Sequence, residues 1–110
     1  MAKPRIAKEL VPNPNVMVFH CTTRISRVHI SSFTKPLEKY NQTELNKVGQ
    51  IGADVVKKIL AIQGVTELFI NPYEISVSKA KLFDWVKIKP RIIKALRPAF
   101  GKNADKVQVS

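Results

Sequence analysis

At 110 residues, 45% of them hydrophobic and 25% charged, the chain is sized for one domain with its own core and has an ordinary globular composition. Nineteen Lys and Arg against eight Asp and Glu leave a net charge of +11 and a pI near 10.1. No apolar run approaches the roughly 20 residues of a membrane span, and the lone Cys21 excludes an internal disulfide.

A single thiol suits a reducing compartment, and the basic N-terminus leads into no apolar stretch, so no secretory signal is expected. The expected location is cytoplasmic, with association to the nucleoid if the partner is DNA. So much positive charge on a small surface repels itself and attracts polyanions. Clustering of that charge favours an anionic partner over a solubility coat, with nucleic acid the leading candidate.

Residues 1–15 form a basic arm marked by Pro4, Pro12 and Pro14, which proline geometry keeps extended or turned. Val16 to Cys21 is apolar and β-branched and reads as a first strand. A second strand is expected through Ile25, Val28 and Ile30 towards Phe33, after a turn at Thr22-Thr23. A helix is predicted over residues 43–62, with Thr43 or Asn46 as cap. Its stripe is Leu45, Val48, Ile51/Gly52, Val55, Ile59 and Ile62. Gly49 and Gly52, within that stretch, point to close backbone approach to the sheet, and Gly64 stands where a left-handed C-cap belongs.

Val65 to Ile70 and Ile75 to Lys79 flank the turn Asn71-Pro72-Tyr73-Glu74 and predict a hairpin. Asp84 is the expected cap of a last helix, whose stripe is Trp85, Ile88, Ile92 and Leu96, with Pro90 inside it and Pro98 ending it. The predicted fold is α+β, in the order β-β-α-β-β-α, with a four-stranded antiparallel sheet and two helices packed on one face. The predicted boundaries are an arm over 1–15, a single domain over 16–97 and a basic tail over 98–110.

The last helix is the strongest candidate site. From Lys79 to Lys102 there are eight basic residues and one acidic residue, Asp84. Lys87, Arg91 and Lys94 fall on one side of a helix, with Lys89 and Arg97 beside them, and Lys79 and Lys81 precede it. Lys3, Arg5 and Lys8 on the arm extend that footprint. Arg24 and Arg27, with His29, alternate along the second strand and are expected to line the open sheet face. His20 and Cys21 are neighbours on a strand, so they point to opposite faces and cannot share a metal. No pairing of nucleophile with base and no pair of carboxylates placed for proton transfer is visible, so no catalytic, cofactor or metal residues are assigned.

Several segments resemble the N-terminal domain of the Nfu/NifU-type iron–sulfur scaffold proteins. These are Asn13-Pro14-Asn15, Ile62-x-Gly64-Val65-x-x-Leu68-Phe69, Pro72, Ile75-x-Val77-x-Lys79 and Asp84-Trp85-x-x-Ile88-Lys89-Pro90-x-Ile92. The resemblance covers about residues 11–97, and it implies the same small α+β fold and a helix that tolerates Pro90. In that family a Cys-x-x-Cys pair in a separate C-terminal domain holds the cluster. This sequence has Cys21 alone, so the resemblance carries over the fold and not the cluster chemistry.

The expected function is therefore a non-enzymatic binding module. Its basic helix face would dock nucleic acid with little sequence dependence, or an acidic protein surface. The alternatives are an accessory role in iron–sulfur assembly, implied by the resemblance, and a modulator that binds a larger enzyme.

Overall fold

Asn13-Pro14-Asn15 turns the chain back on itself earlier than the apolar pattern announces. The Asn13 carbonyl accepts from the Val16 amide at 3.1 Å, and the Asn13 side chain accepts from the Asn15 amide at 2.9 Å. This Asx turn joins β1 (Arg5–Leu10) to β2 (Val16–Cys21) as an antiparallel hairpin. A computed structural model describes residues 3–36 and 42–110. The further elements are β3 (Ser31–Thr34), α1 (Gln42–Lys47), α2 (Gly49–Leu60), β4 (Val65–Asn71), β5 (Glu74–Lys79) and α3 (Trp85–Leu96). A 3-10 segment (Arg97–Lys106) and β6 (Gln108–Val109) complete the chain.

The sheet order is β3-β4-β5-β2-β1-β6. Neighbours run antiparallel except β1 and β6, which are parallel. Register sorts the side chains by face, because residues paired across strands share a side. Ile6 opposite Cys21, Met17 opposite Val77, Phe19 opposite Ile75 and Leu68 opposite Val77 are all buried. Val55, Val56, Ile59 and Leu60 of α2, with Ile88, Ile92 and Leu96 of α3, close over them as one core. Burial of such a side chain contributes about 1.5–3 kcal/mol.

Among the described residues there are six strands in a mixed sheet and three α-helices, instead of four antiparallel strands and two helices. The two extra strands come from the basic ends of the chain. Arg5–Leu10 pairs along β2, with Ile6 fully buried beneath charged neighbours. Gln108–Val109 pairs with β1, and Phe100 and Val107 are buried on the way there.

The expected second strand through residues 25–30 is a loop. Ile25 is buried, but its amide bonds to the Pro72 carbonyl at 2.7 Å, and the Ser26 hydroxyl bonds within the loop to Val28. The strand begins only at Ser31 and pairs with β4, not with β2.

The expected single helix breaks between α1 and α2. Gly49 takes φ +86, and a Cβ there would lie 3.0 Å from Cγ of Arg27. Gly52 does sit at a close approach, though to the loop rather than the sheet: a Cβ would stand 2.8 Å from the Ile25 carbonyl oxygen. Because α1 already starts at Gln42, Thr43 and Asn46 lie inside it and not at its cap. The hairpin of β4 and β5, the buried Ile75 and Val77, and the passage of α3 through Pro90 match the sequence. Asp84 holds the N-cap position with extended backbone, but its side chain makes no capping hydrogen bond.

Candidate functional site

Lysines and arginines sit at the surface because their charged heads stay in water, so what distinguishes a site is which of them the fold brings together. α3 exposes Lys87, Arg91 and Lys94 and half-buries Lys89. Lys8 reaches from β1 to Lys89. The hydrogen bond with Lys8, partial burial and repulsion between the two amines hold Lys89 below the ordinary lysine range.

Other expected cations serve the fold. The Lys79 ammonium donates to the Asn15 side chain at 3.1 Å and lies 5.7 Å from the centre of the Trp85 ring. Trp85 in turn donates its indole N–H to the Pro14 carbonyl at 2.9 Å, which ties α3 to the β1–β2 turn. Arg5 donates to the Ser110 hydroxyl at 3.1 and 2.8 Å, holding β6 against β1. Arg24 donates to the carbonyls of Ser26 at 3.0 Å and Arg27 at 3.2 Å, and Arg27 lies against Gly49. Lys3 and Lys81 are exposed, before β1 and before α3.

Arg24, Arg27 and His29 therefore do not alternate along a strand, because their segment never enters the sheet; Arg24 and His29 instead reach the edge of the open face from the loop, bordering a pocket with His20 and Glu74. That face is acidic. Register places Glu9, His20, Glu74 and Glu67 on it, around the exposed Phe69. His20 bridges two carboxylates, with Nε2 at 2.6 Å from Glu9 and Nδ1 at 3.2 Å from Glu74, and Asn71 donates to Glu74 at 2.9 Å.

An open trough of about 980 Å³ lies between the end of α2, with the residues that follow it, and the second half of α3, bordered by the 3-10 segment. Ile62, Ala95 and Pro98 contribute to its apolar floor, and Lys58, Arg91, Lys94 and Arg97 stand around it. The Arg97 guanidinium is oriented by the Ala104 carbonyl at 3.2 Å. A smaller cavity shares Lys58, Ala95 and Pro98 and continues past Val55 and Asp54 to Ile51. The trough unites three of the expected cations and adds Lys58, which the sequence reading passed over. Its only advance signal was the basic end of an otherwise amphipathic helix, and its proximity to Arg91 depends on how α2 and α3 pack.

The donor set does not fit an iron–sulfur cluster. Cys21 faces the core from β2, while His20 takes the opposite face, as their adjacency requires. Burial pushes the Cys21 thiol up to about 12. Among the described residues, no group of three or more His, Cys, Asp and Glu side chains is arranged to hold a metal ion. Cys21 is expected to resist iodoacetamide at pH 8 and to react only at the rate of opening, measured by mass spectrometry with and without urea. A raised folded pKa means this contribution to stability is complete below the unfolded value of 9.0 and is lost as pH climbs through about 12. Rapid alkylation of the native protein at pH 8 would contradict the burial.

A family model described as the N-terminal domain of the scaffold protein Nfu/NifU matches residues 6–103. The chain belongs to that family. The match takes in β1 and most of the 3-10 segment, beyond the span over which the sequence motifs are legible. Solved structures share the fold. A NifU-like protein from Saccharomyces cerevisiae superposes with a TM-score of 0.64 at 22% identity, covering 91% of this chain and 82% of that one. A crystal structure from Staphylococcus aureus gives 0.61 at 20% identity, covering 83% of this chain and 96% of that one. A Staphylococcus epidermidis structure gives 0.51 at 20% identity, covering 86% of this chain and 93% of that one. No curated protein matches the chain.

The family match corrects the expectation of nucleic-acid and DNA binding: it places the chain among scaffold-protein domains, and none of these matches is described by a nucleic acid. The geometry agrees, since the open sheet face is acidic and Arg24 and Arg27 lie apart from α3, against the first turn of α2. Among the described residues, no helix is long and apolar enough to cross a membrane.

Proposed function

We propose that the chain is a non-enzymatic accessory module of iron–sulfur cluster assembly, which binds a protein of that machinery and leaves the cluster on its partner. The observation that carries this reading is the Nfu/NifU N-terminal match over residues 6–103. Burial of Cys21 supports the second half of it, because a cluster needs several accessible thiolates and this chain has one buried thiol. The division of labour follows: the domain supplies a docking surface, and a Cys-x-x-Cys domain elsewhere supplies the ligands.

Titration of the purified chain onto a cluster-loaded Cys-x-x-Cys scaffold protein, followed by calorimetry, tests this directly. Saturable binding is expected, together with a several-fold change in the rate of cluster transfer to an apo-ferredoxin. Absence of both removes the proposal. Cluster-type absorption on the isolated chain after reconstitution would also remove it.

A further inference from the structure

We propose that the trough between α2 and α3 is a docking site for an acidic amphipathic helix of a partner protein. Ile51, Val55 and Lys58 recur at helical spacing along α2 beside the cavities, and Ile62 follows just past its end. From Ile51 to its end at Leu60 the helix rises about 13 Å, between two and three turns. The facing floor residues are small: Ala95 of α3 and Pro98 of the 3-10 segment keep it low enough for another backbone to approach.

The occupant is argued from what the trough offers. No strand edge borders it, so an extended peptide would find no row of backbone donors and acceptors. A helix satisfies its own backbone and needs only an apolar seat, which Ile62, Ala95 and Pro98 provide. Charge then selects the sign of the flanks. Lys58, Arg91, Lys94 and Arg97 against Asp105 leave the rim at four positive charges to one negative. No ion pair among the described residues engages Lys58, Arg91 or Lys94. Glutamates on either side of an apolar stripe would meet those cations, speed association and fix orientation.

A second copy of this chain fits poorly. Its described α-helices carry one acidic residue each at most, Glu44 on α1 and Asp54 on α2, so none offers an apolar stripe flanked by acids on both sides. The proposal goes beyond the role in cluster assembly and stands whether or not the partner belongs to that machinery.

The test uses the full chain and designed peptides of about four turns, read by fluorescence anisotropy. One peptide carries a leucine stripe flanked by glutamates, a second the same stripe flanked by lysines, and a third glutamates without the stripe. The first is expected to bind at least tenfold more tightly than either control and to weaken as salt is raised. Lys58→Glu and Arg91→Glu are each expected to lose tenfold or more, whereas Lys47→Glu, on the exposed face of α1 and outside the trough lining, retains parental binding. Ala61→Leu, at an exposed trough position, fills the groove without changing charge and is expected to lose at least as much. Chemical shifts of Ile62, Ala95 and Ala104 should move on binding. Equal affinity for the three peptides, no binding of the first, or an unaffected Ala61→Leu variant would overturn the proposal. So would a duplex oligonucleotide that binds the same residues more tightly than the acidic peptide. Failure of the peptide with intact binding to a cluster scaffold would remove the trough and leave the assembly role standing; the reverse result would do the opposite.

Discussion

Gly64→Ala is expected to lower stability by about 3 kcal/mol, the sum of a backbone and a packing effect. Gly64 takes φ +98, where a Cβ meets its own backbone, and an L-residue there costs about 1–2 kcal/mol. The same Cβ would stand 2.6 Å from Cγ and 3.0 Å from Cβ of Phe83, so the root of that side chain, and not a flexible tip, must move. Phe83 packs against the core, and the Gly64 carbonyl accepts from the Ala80 amide at 2.7 Å, so the two segments cannot separate without further loss. Urea unfolding should show a lower midpoint with an unchanged slope. A second variant separates the two causes. In a Phe83→Ala background the steric part vanishes, and Gly64→Ala should cost only the backbone part. A single variant within about 0.5 kcal/mol of the parent would mean that the connection between α2 and β4 is not built as described.

The parts of the fold legible in the sequence are those fixed by local pattern. The β4–β5 hairpin follows from alternation around Asn71-Pro72, and the seat of α3 follows from Trp85, Ile88, Ile92 and Leu96 at helical spacing. Gly64 was legible in its positive φ but not in its place: α2 ends at Leu60 with Ala61 as its C-cap, and Gly64 turns the chain into β4 instead of capping the helix. What was hidden depends on contacts distant along the chain. Ile25, Val28 and Ile30 look like strand residues, yet Ile25 is a plug for the core held by the Pro72 carbonyl. The α1–α2 break was masked by a hydrophobic stripe that continues across Gly49. The trough was visible only in halves: Arg91 and Lys94 stood out on their helix, while Lys58 gained meaning when α2 was laid beside α3. The acidic sheet face was invisible because Glu9, Glu67 and Glu74 come from three strands, and only register collects them.

Ile6→Ala is expected to cost about 3 kcal/mol, within the range of 2–5 kcal/mol for removing a large buried aliphatic side chain. By sequence, Ile6 lies in a basic, proline-flanked stretch, where truncation of a solvated terminus would change stability by no more than about 0.5 kcal/mol. In the fold it is fully buried, pairs with Cys21 on β2 and Val109 on β6, and accepts the Ser110 amide at 2.9 Å. The two accounts therefore differ several-fold in a quantity that urea denaturation measures well. Hydrogen exchange supplies an independent check, because the Lys8 amide, bonded to the Ser110 carbonyl at 2.9 Å, should be protected in the parent and exchange faster in the variant. Since a domain of this size is stable by only about 5–15 kcal/mol, a loss near 3 makes β1 a structural member of the sheet. That membership also matters for the surface: with β1 fixed, Lys8 is held at Lys89 and Glu9 at His20.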